Sequence, residues 1–150
     1  MKVAIVHNYY KIRGGEATVV ALESEVLSKN NFDVVTYTKH NDEIDQFSFI
    51  EKVKLLKNTA WSVDSYKAFR AFLKKEQPDI CHVHNFMPLI SPSIFQACQD
   101  ENIPVVQTLH NYRLICTNGL LLRKGRICEL CLGKSAYKSV TKKCYRNSAA

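Results

Sequence analysis

The sequence predicts an α/β fold in which a parallel sheet is covered by helices on both faces. Three observations predict it: short apolar runs rich in β-branched residues, helical-period segments between those runs, and polar side chains released where the runs stop. At 150 residues and 46% hydrophobic content the chain has the length of one domain and enough apolar material for a real core. No internal repeat or low-complexity tract interrupts it. The opening MKVAIVHNYY carries one basic residue and only a short apolar run, too little for a signal segment or a membrane span, which points to a cytoplasmic protein.

KVAIV, residues 2–6, is halted by His7 and Asn8 and reads as a strand buried on both faces. In GGEATVVALESEVLSKNN, Val19, Leu22, Val26 and Leu27 fall at helical spacing, with Glu16, Glu23, Glu25 and Lys29 elsewhere. A helix over about 16–29 is expected, closed by Asn30 or Asn31 in the left-handed conformation. FDVVTYT, residues 32–38, is the second strand. SFIEKVKLLKN and VDSYKAFRAFLKKEQP are helical by period, and Pro78 stops the second of them. DICHVH, residues 79–84, is the third strand, SPSIFQACQDEN a helix capped by Ser91 with Pro92 at its first position, and IPVVQTLH the fourth strand. Parallel strands joined in this way require right-handed crossovers.

In such sheets ligands collect beyond the carboxyl ends of the strands, where loops and helix N-termini converge. Three strands here end in histidine: His7, His84 and His110. An imidazole at that edge can donate to or accept from a sugar hydroxyl at neutral pH, which makes His110 the leading candidate. His82 and His84, in HVHN, fit core hydrogen bonding equally well. Gly14 and Gly15 precede the first helix, so the backbone there can pass close to a ligand and offer helix N-terminal amides to a diphosphate. The pair also fits a plain turn, and it matches neither the spaced glycine fingerprint of dinucleotide binders nor a Walker loop. Arg113 suits a phosphate or a nearby acid.

Charge and cysteines set the C-terminal part apart. Residues 111–150 hold nine basic residues (Arg113, Arg123, Lys124, Arg126, Lys134, Lys138, Lys142, Lys143, Arg146) against the single acid Glu129, a local +8 in a chain of net +7, which leaves −1 for residues 1–110. Such a segment faces phosphates, nucleic acid or an anionic membrane, or is simply a solvated surface. The division expected is an α/β domain over 1–115 and a Cys-rich basic segment of the same domain over 116–150. Cys81 and Cys98 lie in a strand and a helix, where a thiol acts as a small hydrophobe. Cys116, Cys128, Cys131 and Cys144 are spaced C-x11-C-x2-C-x12-C. That spacing offers a tetrahedral zinc site; free thiols and disulfides stay open, although a cytosolic setting favours metal over disulfides. Surrounding positive charge favours thiolates, and a segment this poor in apolar residues gains order from a cross-link.

Several of these segments together carry a resemblance. VHNYYKIRGGEATVVALESEVL, PDICHVHNFMPLISPSIFQAC and IPVVQTLHNYRLICTNGLLLRKGRICELC with its later CYR resemble the N-terminal domain of family 4 glycosyltransferases, retaining enzymes of the GT-B architecture. The likeness spans nearly the whole chain, and TLHNYRLIC-NG with the following cysteines is its most specific part. It implies a Rossmann-like N-terminal domain that holds the acceptor, facing a C-terminal domain that holds a nucleotide-sugar donor. By position it implies that Gly14 and Gly15 approach the donor diphosphate and that His110 reaches the transferred sugar near the reacting carbon. His84, Asn85 and Arg113 fall on the acceptor side. It implies no catalytic metal, so zinc on the four cysteines is expected to be structural. Thr117 stands where relatives often place proline, and KNNFDV replaces a more usual Gly-His.

The family's paired donor-holding glutamates are expected beyond residue 150, so a donor-binding domain, in cis or as a separate chain, is an expected partner and the chain alone is expected to be inactive. The acceptor expected is a glycan or lipid-linked molecule of surface polysaccharide synthesis, with the basic segment near an anionic membrane at its inner face. The alternative is a zinc-stapled basic binding module contacting nucleic acid or another polyanion. Nucleic acid is not favoured, because aromatics do not punctuate the basic run and no recognition helix stands out. A thiol oxidoreductase on Cys128 and Cys131 is disfavoured because the pair does not open a helix after an early strand.

Overall fold

The computed structural model describes residues 1–12, 14–134 and 136–144; Arg146, counted in the basic segment, lies outside the described residues. The chain divides into two compact units, Met1–Thr108 and Leu109–Ala150. The first holds a four-stranded sheet of β1 (Lys2–Tyr9), β2 (Asp33–His40), β3 (Ile80–Asn85) and β4 (Val105–Gln107) in the order β2-β1-β3-β4. Every pairing is parallel. The helices are α1 (Gly15–Lys29), α2 (Phe49–Asn58), α3 (Val63–Glu76) and α4 (Ser93–Asp100), with a 3₁₀ turn at Asn41–Gln46. This is the expected α/β fold, helices on both faces of a parallel sheet.

Side-chain alternation sorts the two faces. Ala4, Val6, Cys81 and Val83 point to the side packed by Phe69 and Leu73 of α3 and by Ile94, Ala97 and Cys98 of α4. Val3 and Ile5 point the other way, onto Val20 and Leu27 of α1. Both interior cysteines behave as small hydrophobes, as expected. Contact with Cys98 and burial push the Cys81 thiol well above its ordinary range.

Several features differ from the sequence expectation, each for a physical reason. β1 is not halted at His7: both His7 and Asn8 are buried within it, because hydrogen bonds satisfy the Asn8 amide inside the fold. β4 is only three residues long, since Pro104 has no N–H to give a ladder and Leu109 is exposed; His110 therefore follows the strand at a distance instead of ending it. α4 begins one residue late, with Pro92 as its cap and Ser91 at φ +56°. The Ser91 hydroxyl still does the capping, accepting the Ser93 N–H at 3.2 Å and the Ser62 N–H at 3.2 Å. Finally, α1 is rotated. Val19, Leu22 and Val26 are exposed, and Ala17, Val20, Glu23 and Leu27 face the sheet, because His82 and His84 on β3 engage the Glu23 carboxylate. As expected, an asparagine with positive φ follows α1, at Asn31 (φ +63°).

The second unit is built from turns. Its first loop is closed by the Tyr112 N–H on the Gly119 carbonyl at 2.9 Å and by the Cys116 N–H on the Tyr112 carbonyl at 2.8 Å. Gly119, at φ +77°, takes the left-handed position that an Asn-Gly turn needs. A two-stranded hairpin follows, β5 (Leu122–Arg123) and β6 (Arg126–Ile127), joined by Lys124 and Gly125, both at positive φ as a type I′ turn requires. A short helix, α5 (Tyr137–Thr141), precedes Cys144. Among the described residues no helix is long and apolar enough to cross a membrane.

Candidate functional site

The strand order places a topological switch between β1 and β3: the chain leaves β1 for β2 on one side and later returns to β3 on the other. Loops diverge there, and the carboxyl-end crevice of an open α/β sheet forms at that point. Asn85, a predicted site residue, is held in this rim. Its Nδ2 donates to the Asn8 carbonyl at 2.8 Å, and its Oδ1 accepts the Met87 N–H at 3.1 Å. Asn8 in turn donates through Nδ2 to Asn41 Oδ1 at 2.8 Å and accepts the Leu89 N–H at 3.2 Å. One buried amide thus joins the ends of β1 and β2 to the loop after β3. Sequence analysis missed Asn8, because its partners are 33 and 81 residues away and no local pattern marks them.

Gly14 ends the connection from β1, and Gly15 is the first residue of α1. Gly14 caps the helix with φ −112° and ψ −179°, extended backbone that any residue adopts. A Cβ built on either glycine would meet nothing within 4 Å. Neither conformation nor packing in this unit therefore calls for glycine. What the missing side chains do is leave a clear approach to the amides of the first turn of α1.

His84 sits near the carboxyl end of β3 as expected, but its side chain is fully buried (0% exposed), beneath α1. It belongs to a polar layer that includes His7, His82 and Glu23. His82 Nδ1 lies 3.0 Å from Glu23 Oε1, and His84 Nε2 lies 3.2 Å from Glu23 Oε2. His82 Nε2 meets Thr108 Oγ1 at 2.8 Å. The His7 and His84 rings stand edge-on with centroids 6.2 Å apart. Glu23 was assigned to the outer side of α1 by its neighbours; alternation of His82 and His84 on β3 was the signal that a polar partner was needed opposite them. Among the described residues, Glu23, His82 and His84 form the group whose three ligand atoms lie within 4.8 Å of one another.

In the second unit His110 is half-buried at the start of the loop, and Asn111 Oδ1 accepts the Arg113 N–H at 2.9 Å. Arg113, Lys134 and the intervening Leu114, Ile115 and Thr117 line an open groove of about 420 Å³. Cys116, Cys128, Cys131 and Cys144 all border one small cavity of about 20 Å³, and all are free thiols. The C-x2-C pair follows directly from the hairpin, and the Cys128 N–H donates to the Leu121 carbonyl at 2.8 Å. The four cysteines are not, among the described residues, a group whose ligand atoms lie within 4.8 Å of one another.

An open parallel sheet with helices on both faces is the architecture of a Rossmann-like α/β domain. The family model described as Glycosyltransferase Family 4 matches residues 13–146, and the chain belongs to that family. Neither the curated proteins nor the solved structures that were searched gave a match.

Proposed function

We propose that the chain is the acceptor-side, N-terminal domain of a retaining glycosyltransferase that moves a sugar from a nucleotide-sugar donor to a glycan or lipid-linked acceptor. The single observation that carries this reading is the family match over 13–146, which includes the glycine pair, the HVHN segment and all four cysteines of the second unit. Membership implies a nucleotide-sugar donor. Retaining transfer has the acceptor hydroxyl attack and the diphosphate depart on one face of the sugar, so the main demand is for stabilisation of negative charge on the leaving group. The α1 amides beyond Gly14 and Gly15 are suited to that task, and the open space in front of both glycines supports it. His110 is assigned to the transferred sugar. His84, Asn85 and Arg113 are assigned to the acceptor, and the Arg113–Lys134 groove suits an acceptor that bears phosphate. The four cysteines are assigned to a structural zinc that orders the second unit, and no metal takes part in transfer.

The protein is placed in the cytoplasm, at the inner membrane face. Support comes from α2, whose Phe49, Ile50, Val53 and Leu56 are all exposed beside Lys52, Lys54 and Lys57. A basic amphipathic helix with its apolar side uncovered is suited to the headgroup region of an anionic bilayer. The second domain that holds the donor is taken to be a partner, in cis or as another chain.

Transfer assays with the chain alone and with an added donor-domain polypeptide test this reading. The expected result is no turnover alone and turnover with both. Gly15→Leu should leave stability within about 0.5 kcal/mol, because its side chain enters open space, yet lower transfer by about 100-fold or more. His110→Ala should lower transfer by a similar factor. Turnover by the chain alone, or full activity of both variants in the reconstituted mixture, would refute the assignment.

A further inference from the structure

We infer that Glu23, His82 and His84 form a binding site for a divalent transition-metal ion of the zinc class, clamping α1 to β3. The inference does not depend on the transferase reading, nor on the cysteines of the second unit.

The ligand chemistry is two imidazoles and one carboxylate, a combination that suits zinc. With metal–ligand bonds of about 2.0–2.2 Å, a tetrahedral ion sets its ligand atoms about 3.3–3.6 Å apart. His82 Nδ1 lies 3.0 Å from Glu23 Oε1 and His84 Nε2 lies 3.2 Å from Glu23 Oε2, and one ligand atom from each of the three residues lies within 4.8 Å of the others, so the three side chains can close on a common ion. The two rings come from alternate residues of one strand, with centroids 4.3 Å apart, so the β-sheet itself fixes their spacing.

The surroundings favour a metal too. The neighbours on this face of the sheet are Val3, Ile5, Val20 and Ile80, an apolar setting in which a carboxylate is expensive unless its charge is balanced. Metal-bound imidazoles characteristically use their second nitrogen to bind an oxygen that fixes the ring. His82 Nε2 has that oxygen in Thr108 Oγ1 at 2.8 Å. In the bound form His82 Nδ1 and His84 Nε2 give electron pairs to the ion, any protons on those nitrogens leave to solvent, and His82 Nε2–H donates to Thr108. Glu23, with its side chain 33% exposed, lies at the open side through which an ion enters and a water completes the shell.

The test is zinc retention by the full chain in equilibrium dialysis, after the accessible thiols have been blocked with N-ethylmaleimide. Wild-type protein should retain on the order of one equivalent. Loss of one ligand in Glu23→Gln or His82→Asn should weaken retention by more than about 100-fold, and Thr108→Val by about 10- to 100-fold, the range for an outer-shell partner. Circular dichroism identifies variants that fail to fold, and Thr108→Val, which alters no ligand, then carries the comparison. No zinc on the blocked wild type, or equal retention by the folded variants, overturns the site.

Discussion

At Asn8 a single buried amide joins segments that are far apart in sequence. Its Nδ2 and Oδ1 serve Asn41 and Leu89, and its carbonyl accepts from Asn85, so the rim around the switch point is organised by a residue that touches no solvent. Asn8→Ala should destabilise the protein by about 2 kcal/mol, because it strands the Leu89 N–H and the Asn41 carboxamide; chemical denaturation measures this. A change below about 0.5 kcal/mol would mean that water replaces the amide. The interior thiols make a second prediction. Cys81 and Cys98 are buried, and the Cys81 thiol is pushed up by Cys98 and by desolvation, so neither should react with iodoacetamide in the native state. Mass spectrometry should find label confined to the four cysteines of the second unit in metal-free protein.

Among the elements, α1 shows how a correct helix can have its faces exchanged. Its period was plain, yet Val19, Leu22 and Val26 form the outer stripe, since tertiary partners on β3 draw Glu23 inward. The expected consequence is asymmetric. Leu22→Gln should alter stability by no more than about 0.5 kcal/mol, whereas Val20→Ala, 2% exposed against Val3 and Ile5, should cost on the order of 2 kcal/mol. Thermal melts of the two variants decide between this arrangement and the one that apolar spacing alone suggests. α2 has the opposite history: the period gave its bounds, but only the structure leaves Phe49, Ile50 and Leu56 uncovered. A shorter β4 follows from Pro104, a signal present in the sequence and outweighed there by the apolar run after it.

For the whole molecule, charge is the property that reaches furthest. The net +7 is concentrated in residues 111–150, and α2 adds lysines around an apolar face. Attraction to anionic lipid amounts to about 1 kcal/mol for each basic residue near the surface. Co-sedimentation with phosphatidylglycerol vesicles should therefore be strong at low salt, weaken as salt rises, and fall about tenfold or more in Leu56→Glu. Random DNA should bind far more weakly than the vesicles; a steep salt slope with DNA and indifference to vesicles would favour the polyanion-binding module instead.

Sequence alone determined the alternation of strands and helices, the parallel sheet they imply, the basic cysteine-spaced segment and the motifs that carry the family match. These are local matters, fixed by apolar period, turn residues and spacing. Only the tertiary structure decided that α1 turns its glutamate inward, that Asn8 ties the rim together, and that four cysteines border one cavity. The physical reason is that burying a polar group depends on partners supplied by other elements, and a linear pattern records which residue types are present without recording which of them meet.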